Sequence, residues 1–396
     1  MACRKADVVL QKNTVAGIYV HIPFCKQACH YCDFHFSTNR SQQQEMIAAI
    51  VRELILQKDY LKGETVHTLY FGGGTPSLLD APEVAVLLNT MAENYDLKPD
   101  AEISLEANPD DLTDEKLRVL KHSGINRLSI GIQSFNDNIL RMLNRCHDSD
   151  TAISSFRRSR KAGFDNITID LIYSIPGLTM TDWQNSIRQA IDLAPDHISA
   201  YTLTIEPKTV FGHLAAKGKL REVNEDTAAL QMEVLIDMLE DAGYQQYEVS
   251  NFAKPGFRSR HNKSYWHHDK YLGVGPGAHS FNGLSRQFNI SNNPLYIKSI
   301  QEGHVPFQIE VLTRSARINE YLMTSLRMAE GCDLKALRYH YDFDLFAHNP
   351  QYLQQLLEYD LAVVNDSVLQ LTRKGRLLAD KIAADLFVAG QQGDNY

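Results

Sequence analysis

The stretch that decides the fold is Tyr19-Val20-His21-Ile22-Pro23-Phe24-Cys25-Lys26-Gln27-Ala28-Cys29-His30-Tyr31-Cys32. Its apolar first half reads as the end of a β-strand, and Cys25, Cys29 and Cys32 follow at once in a Cys-x3-Cys-x2-Cys spacing. Thiolates bind iron strongly, and a loop this short can wrap one face of an iron–sulfur cube. Three thiolates leave one iron of a 4Fe–4S cluster without a protein ligand. An open coordination position is the mark of a catalytic metal site, and the vacant iron suits the amine and carboxylate of a methionine moiety. The same residues also allow a zinc site of three Cys and one His, taken from His21, His30 or His35. Zinc sites more often pair Cys-x2–4-Cys knuckles with ligands that return from a distance. Cys3, Cys146 and Cys332 are scattered and read as ordinary free thiols.

Outward from this loop, β-rich runs at 17–24, 67–73, 102–108, 127–134, 166–173 and 197–204 alternate with segments of helical apolar spacing at 41–61, 81–95, 113–122 and 181–193. Thr113 and Thr181 precede acidic residues and read as helix N-caps. About six βα units fit either an open doubly wound sheet or a partial barrel. Glu106, Gln133 and Asp170 end successive strand-like runs, and the C-terminal strand ends form the active face of a β/α barrel. The expected class is therefore α/β, a partial (β/α)6 TIM-type barrel over residues 1–205.

Residues 206–310 read as a loop-rich extension flanking the barrel, with a turn at Asn292-Asn293-Pro294. Residues 311–390 change character: helices at 317–328 and 333–341, a hairpin over Asn365-Asp366, and a last helix at 381–387. This suggests a small winged-helix-like module. It carries nine Lys and Arg against ten Asp and Glu, a net of −1, which favours a packing or lid role over DNA contact. The whole chain has a net charge of −8, 44% hydrophobic and 22% charged residues. That excludes general disorder and gives no basic surplus for a nucleic acid. No signal peptide or membrane span is read from the N-terminus, so a cytoplasmic location is expected.

The cysteine motif with Tyr31 before its last Cys is the radical S-adenosylmethionine (SAM) signature. Together with Tyr19-x-His21-Ile22-Pro23-Phe24-Cys25 the chain resembles the oxygen-independent coproporphyrinogen III oxidase family. The resemblance continues through Gly72-Gly73-Gly74-Thr75-Pro76, Glu106, Gly131-Ile132-Gln133-Ser134-Phe135, Arg145, Asp170-Leu171-Ile172, Leu326-Arg327 and Leu371-Thr372-Arg373-Lys374-Gly375. It implies a radical SAM barrel holding a 4Fe–4S cluster on Cys25, Cys29 and Cys32. It also implies SAM contacts at Gly73, Gly74, Thr75, Glu106, Gln133, Arg145 and Asp170, with Tyr19 and Tyr31 against the cluster and SAM. Carboxylates suit the SAM cations, and the Arg145 fork suits its carboxylate.

Arg260-His261-Asn262-Lys263-Ser264-Tyr265-Trp266 is similar to the His-Asn-x-x-Tyr-Trp motif of the HemW-like, haem chaperone branch. The resemblance implies haem, with His261 as an axial ligand, Arg260 on a propionate, and Tyr265 or Trp266 against the macrocycle. His267, His268 and His279 compete for the iron, unranked. The oxidase branch carries a fourth Cys two residues past the third, and here that position is Phe34. It also has a longer N-terminal arm, whereas twenty-four residues precede Cys25 here. Both departures favour a chaperone that passes haem to haemoproteins, membrane haemoproteins among them, with a reductant protein as a further partner. The alternative is the oxidase itself, decarboxylating coproporphyrinogen III to protoporphyrinogen IX. A radical SAM enzyme with another substrate is a third reading, because fold does not fix function.

Overall fold

The computed structural model describes residues 15–390; Cys3 and the N-terminal stretch read for a leader lie outside the described residues. Strand and helix alternate through β1 (Val15–Ile22), α1 (Gln43–Leu56), β2 (Thr65–Gly73), α2 (Ala81–Asn94), β3 (Leu97–Ala107), α3 (Asp114–His122) and β4 (Arg127–Gln133). They continue through α4 (Asp137–Met142), α5 (Ser149–Lys161), β5 (Ile167–Tyr173), α6 (Met180–Leu193) and β6 (His197–Thr202). The six strands pair in parallel and in chain order. A doubly wound sheet reverses its order at a switch point. The unreversed order here is barrel winding, so the partial barrel is the architecture formed. β4 and β5 are buried at nearly every position, as strands covered on both faces must be.

Helix starts are encoded locally. Asp80 and Glu83 form a reciprocal capping box on α2, and Thr113 caps α3. The cap of α6 is Thr179, not Thr181. Thr179 Oγ1 accepts the Asp182 N–H at 3.1 Å and donates to its carboxylate at 2.6 Å, which places Thr181 inside the first turn.

Residues 206–310 are not mainly loop; they extend the same sheet. After α7 (Val210–Ala216) and α8 (Glu225–Asp241), β7 (Gln245–Glu248) and β8 (Asn251–Ala253) add antiparallel beyond β6. After α9 (Arg260–Trp266), β9 (Lys270–Val274) pairs parallel with β1. β10 (His279–Phe281), β11 (Ser285–Asn289) and β12 (Phe307–Val311) continue outward, with α10 (Asn293–Gln301) between the last two. The sheet has twelve strands in the order β12-β11-β10-β9-β1-β2-β3-β4-β5-β6-β8-β7. Asn292, read as part of a turn, is the N-cap of α10, and Pro294 sits in the first turn of that helix.

The C-terminal part comprises α11 (Arg314–Arg327), β13 (Cys332–Asp333), α12 (Leu334–Tyr341), α13 (Leu345–His348) and α14 (Pro350–Glu358). β14 (Ala362–Asn365), β15 (Val368–Leu371), α15 (Arg373–Arg376) and α16 (Ala379–Asp385) follow. Its strands form a separate sheet, β13-β15-β14, over a core that includes Ile318, Leu322, Leu337, Leu353, Leu369 and Ile382. Helices plus a three-stranded wing make a winged-helix layout. The hairpin turns over Asp366 and Ser367, both at positive φ (49° and 72°), one residue beyond the Asn365-Asp366 reading. A two-residue loop of that hand matches strand twist. No helix among the described residues is long and apolar enough to cross a membrane.

One buried carboxylate ties the flank to the barrel. Glu53 of α1 accepts from Gln57 Nε2 (2.8 Å), Asn289 Nδ2 (2.7 Å), the Gly275 N–H (2.7 Å) and the Tyr296 hydroxyl. Burial still outweighs these four donors and pushes its carboxyl up to about 7. Glu53→Ala leaves the donors unpaired in a dry interior, so the variant should lose roughly 3–5 kcal/mol of stability. A thermal melt should fall by several degrees; an unchanged melt would contradict this role.

Candidate functional site

The site begins with strand register. β1 and β2 pair His21 with Gly72 and Ile22 with Gly73, so the two strands end level. The cysteine loop after β1 and the glycine turn after β2 therefore leave the sheet side by side. The Gly74 N–H donates to Ile22 O (2.8 Å) and the Thr75 N–H to Phe24 O (2.7 Å). A Cβ on Gly74 would stand 2.6 Å from Phe24 O, and one on Gly73, at φ +103°, would stand 2.5 Å from the His21 ring. The glycines are needed because the cysteine loop lies directly on them. The Thr75 hydroxyl beside the Cys25 sulfur favours its thiolate, though burial dominates.

The other side of the loop is fastened to the end of α4. The His30 N–H donates to Leu143 O (3.1 Å), Gln27 Nε2 to Asn144 O (3.0 Å), and Asn144 Nδ2 to Ala28 O (2.7 Å). Lys26 pairs with Asp110 at 2.7 Å and with Asp111.

Cys25, Cys29 and Cys32 line a cavity of about 570 Å³ together with Tyr31, Gly73, Gly74, Thr75, Glu106, Gln133, Arg145 and Asp170. The strand-end residues singled out from sequence are thus brought to one place. Of the histidines that a zinc site needs, none lines this cavity. His21 Nε2 bonds to His35 O, His30 Nδ1 to Met142 O, and His35 Nε2 lies 2.7 Å from Asn293 Oδ1. Among the described residues no three His, Cys, Asp or Glu side chains converge on a single ion. In a 4Fe–4S cube each thiolate takes a different iron, so three thiols spread along one wall suit a cluster. Burial pushes the Cys25 thiol up to about 11 and the Cys32 thiol up to about 12. Iron binding is therefore coupled to release of their protons.

Electrostatics divide the cavity. Arg145 NH1 donates to Cys29 Sγ (3.3 Å), while NH2 donates to Asn108 Oδ1 (2.7 Å) and Gly131 O (2.8 Å). Three of its five N–H donors are thus spent on the protein, and its Nε is buried without a partner. Gly131 leaves the space, since a Cβ there would meet Gln133 Nε2 at 2.9 Å and Arg145 NH2 at 3.3 Å. Gln133 itself has φ 67° where the β4–β5 register shifts, a strained backbone of the kind that re-aims a side chain at functional sites. Opposite, Glu106 accepts from the Tyr70 hydroxyl (2.8 Å) and the Gly73 N–H (3.2 Å). Burial, reinforced by the charge of Asp170, pushes its carboxyl up to about 7 despite those bonds. Asp170 accepts from Ser129 Oγ (3.1 Å), and burial pushes it up to about 6. Two dehydrated carboxylates with no cation between them form a receptor for a positively charged ligand, which fits the sulfonium and ammonium of SAM.

Beneath lies a chamber of about 350 Å³ lined by Tyr19, Tyr70, Glu106, His261, Asn262, Tyr265, Trp266 and Arg327, among others. Tyr70, Glu106, Tyr201 and Asn262 face both spaces. Tyr19, expected against the cluster and SAM, lines this second space. Its hydroxyl lies 3.2 Å from His21 Nδ1 and its ring stacks on Tyr70. Burial drops the His261 imidazole to about 3, so it is neutral. Its Nδ1 bonds to Thr68 Oγ1 (2.8 Å), its Nε2 to the Tyr265 hydroxyl (2.9 Å), and its ring stacks on Tyr70. Arg260, expected toward a propionate, turns away to Asp100 O (2.8 Å). His268 bonds to Thr324 Oγ1 (2.8 Å), and His279 is exposed with its ring over Phe288. The C-terminal module contributes Arg327 to the lining: it pairs with Glu248 (2.9 Å) and lies 5.3 Å from the centre of the Trp266 ring.

Sequence reading missed Tyr70, Asn108, Ser129, Ser199 and Tyr201, all of which line the cavity. The signal was present as polar residues on β2, β4 and β6 and just past the end of β3, but it needs the strand phase to be seen.

Residues 19–190 match the radical SAM superfamily and residues 312–378 the HemN C-terminal domain. The chain is 37% identical to the haem chaperone HemW of Bacillus subtilis over 92% of its own length and 97% of that protein. It is 36% identical to the haem chaperone HemW of Lactococcus lactis over 94% of its length and 97% of the other. Among solved structures, the coproporphyrinogen III oxidase HemN of Escherichia coli, a radical SAM enzyme, superimposes with a TM-score of 0.81 at 26% identity, covering 94% of this chain and 90% of that one.

The carboxylate pair makes binding pH-dependent. A cation is held by the ionised forms only, so binding expels protons from Glu106 and Asp170. SAM affinity should therefore rise with pH between about 6 and about 7, level off above, and fall below. Asp170→Asn should weaken binding about tenfold at neutral pH and flatten the lower part of the profile. Equilibrium titrations at several pH values check this; a profile flat from pH 5.5 to 8 would contradict it.

Proposed function

The chain belongs to the HemW family of radical SAM proteins, and on that premise we propose that it is a haem chaperone: it binds haem, 4Fe–4S and SAM, and passes haem to haemoproteins. The observation that carries the reading is the pairing of two spaces in one barrel. The upper has three thiols and two dehydrated carboxylates. The lower is walled by the His261–Trp266 helix that HemW-like chains share.

We place the cluster on Cys25, Cys29 and Cys32, with Arg145 donating to Cys29 and Thr75 to Cys25. A cluster bound there supplies the single electron that cleaves SAM, and a reductant protein supplies the cluster. Glu106 and Asp170 hold the cationic end of SAM, Gln133 and the main chain of Gly73 and Gly74 orient it, and Tyr31 excludes water beside Cys29. Arg145 acts on the Cys29 thiolate through NH1. Residues 1–205 serve as the catalytic-type barrel, 206–310 carry the haem motif, and 311–390 close it.

The oxidase reading keeps the fold but loses a thiol. Phe34 stands 69% exposed at the rim of the cysteine cavity, where the oxidase resemblance calls for a fourth Cys. A phenyl ring offers no thiol chemistry there and suits contact with a flat apolar ligand. Acceptors include membrane haemoproteins, and this chain acts on them from the cytoplasm.

Haem reaches the motif from the side of the chamber shared with Asn262. His261 is the residue that would hold its iron, and its Nε2, bonded to the Tyr265 hydroxyl (2.9 Å), would have to be freed for that. His261→Ala should lower haem affinity at least about tenfold, with SAM cleavage retained. Tyr265→Phe removes the competing hydroxyl and should bind haem at least as tightly as the parent. If Tyr265→Phe weakens haem as much as His261→Ala does, His261 is a packing residue and the ligand lies elsewhere. Haem titration followed by the Soret band reads both.

A further inference from the structure

Among the described residues that line the chamber around His261, Arg327 alone carries a fixed positive charge. The His261 imidazole is neutral, and Arg260 is turned to Asp100. Arg327 is the last residue of α11 and comes from the C-terminal module. Main-chain bonds set its place. Met328 bridges to Glu248, the Val249 N–H donates to Arg327 O (3.1 Å), and the Ala329 N–H donates to Tyr247 O (3.0 Å). The module is thereby laddered onto β7, and little ordering of this arginine remains when a ligand arrives.

The two sides of its guanidinium are met differently. Nε and NH2 both lie 2.9 Å from Glu248 Oε1. The Glu248 side chain is fully buried and also accepts from the Ser250 N–H (2.9 Å) and Asn251 Nδ2 (2.6 Å). This carboxylate is complete, and breaking a buried pair of this kind is strongly destabilising. NH1 instead bonds to Asp380, whose side chain is 77% exposed where that of Arg327 is 17% exposed. A partner so well solvated contributes little, so another carboxylate can replace it at small cost. Three of the five N–H donors are used, and two remain. The Trp266 ring centre stands 5.3 Å away. Its Nε1–H is buried without a partner, as is Oδ1 of Asn251, which lines the same chamber. Orphaned buried polar atoms are rare in native structures. Beside a guanidinium they mark a place where an incoming polar group is stabilised.

We propose that Arg327 and Trp266 form a carboxylate subsite of this chamber, and that Asp380 occupies the guanidinium until a ligand carboxylate displaces it. The inference rests on the haem reading above and deepens it, the carboxylate being a haem propionate. Arg327 NH1 and Trp266 Nε1–H donate to the incoming carboxylate, while Glu248 keeps Nε and NH2. One carboxylate leaves the arginine as the other enters, so the guanidinium stays paired throughout the exchange. The planar fork is needed to serve two carboxylates at once, which an ammonium does not match. Arg327 thereby takes the role that charge alone assigned to Arg260, and the C-terminal module becomes part of the binding site.

The test uses full-length protein and two ligands, hemin and hemin dimethyl ester. The ester has the same iron and macrocycle but no carboxylate. Both are titrated in one detergent-containing buffer and followed by the Soret band. The parent should bind hemin at least about tenfold more tightly than the ester. Arg327→Lys keeps a charge on Glu248 but loses the fork. It should lower hemin affinity about tenfold and leave ester affinity unchanged. Asp380→Asn frees NH1 and should tighten hemin roughly threefold, again with the ester unchanged. A residue that only fastened the module to the barrel would move both ligands together. The proposal is overturned by equal parent affinity for hemin and ester, by parallel losses in Arg327→Lys, or by an Asp380→Asn variant that binds hemin no better. The haem reading survives all three. A parent that binds neither ligand overturns both.

Discussion

The structure depends on two parallel strands ending at the same height. Because Ile22 pairs with Gly73, the chain leaves β1 and β2 together, and the only way to lay one loop on the other is to remove side chains from one of them. Gly73 does that against the His21 ring and Gly74 against the Ile22 and Phe24 main chain. The hydrogen bonds from Gly74 and Thr75 to Ile22 and Phe24 then hold the cysteine loop against the sheet as an extra, short strand would. Precision of this kind is what a multi-thiolate site needs, because ligands on a rigid frame cost little further ordering when the metal arrives. The glycine turn has neither the order of a dinucleotide fingerprint nor the lysine of a P-loop, and its contacts explain why: its main task is to support another loop.

The same barrel keeps two chambers of different character apart with few residues. Tyr70 and Glu106 form the partition, Tyr70 donating to Glu106 on one side and stacking on His261 on the other. Both residues line the two spaces, so the cysteine cavity and the aromatic wall around His261 share one hydrogen-bonded pair. The C-terminal module participates directly, since Arg327 spans Glu248, Asp380 and the Trp266 ring.

The legibility of the sequence followed the range of the interactions involved. The cysteine loop was readable because Cys25, Cys29 and Cys32 fall within eight residues and form a local pattern. Glu106, Gln133 and Asp170 were readable because polar residues at the ends of apolar runs stand out. Tyr70, Ser129 and Ser199 were not, since their meaning depends on which face of each strand looks inward. The short strands β7 to β12 escaped because three to five residues carry little periodicity and their pairing is long-range. Thr179 was passed over for Thr181 by counting one neighbour and not the Thr-x-x-Asp box. Arg145 and Arg260 were assigned to ligand carboxylates by charge alone. The fold spends one on Asn108, Gly131 and Cys29 and the other on Asp100, which a linear sequence does not display.

The radical SAM barrel and the HemN-like C-terminal domain are common to a chaperone and an oxidase, so function turns on what stands around the cluster. Phe34 at the rim and the His261–Trp266 helix in the floor both point to haem handling over propionate decarboxylation. The most direct measurement is anaerobic turnover of the cluster-reconstituted protein with SAM, a reductant and coproporphyrinogen III. The account predicts 5′-deoxyadenosine without protoporphyrinogen IX. Stoichiometric protoporphyrinogen IX would contradict it and return the chain to the oxidases.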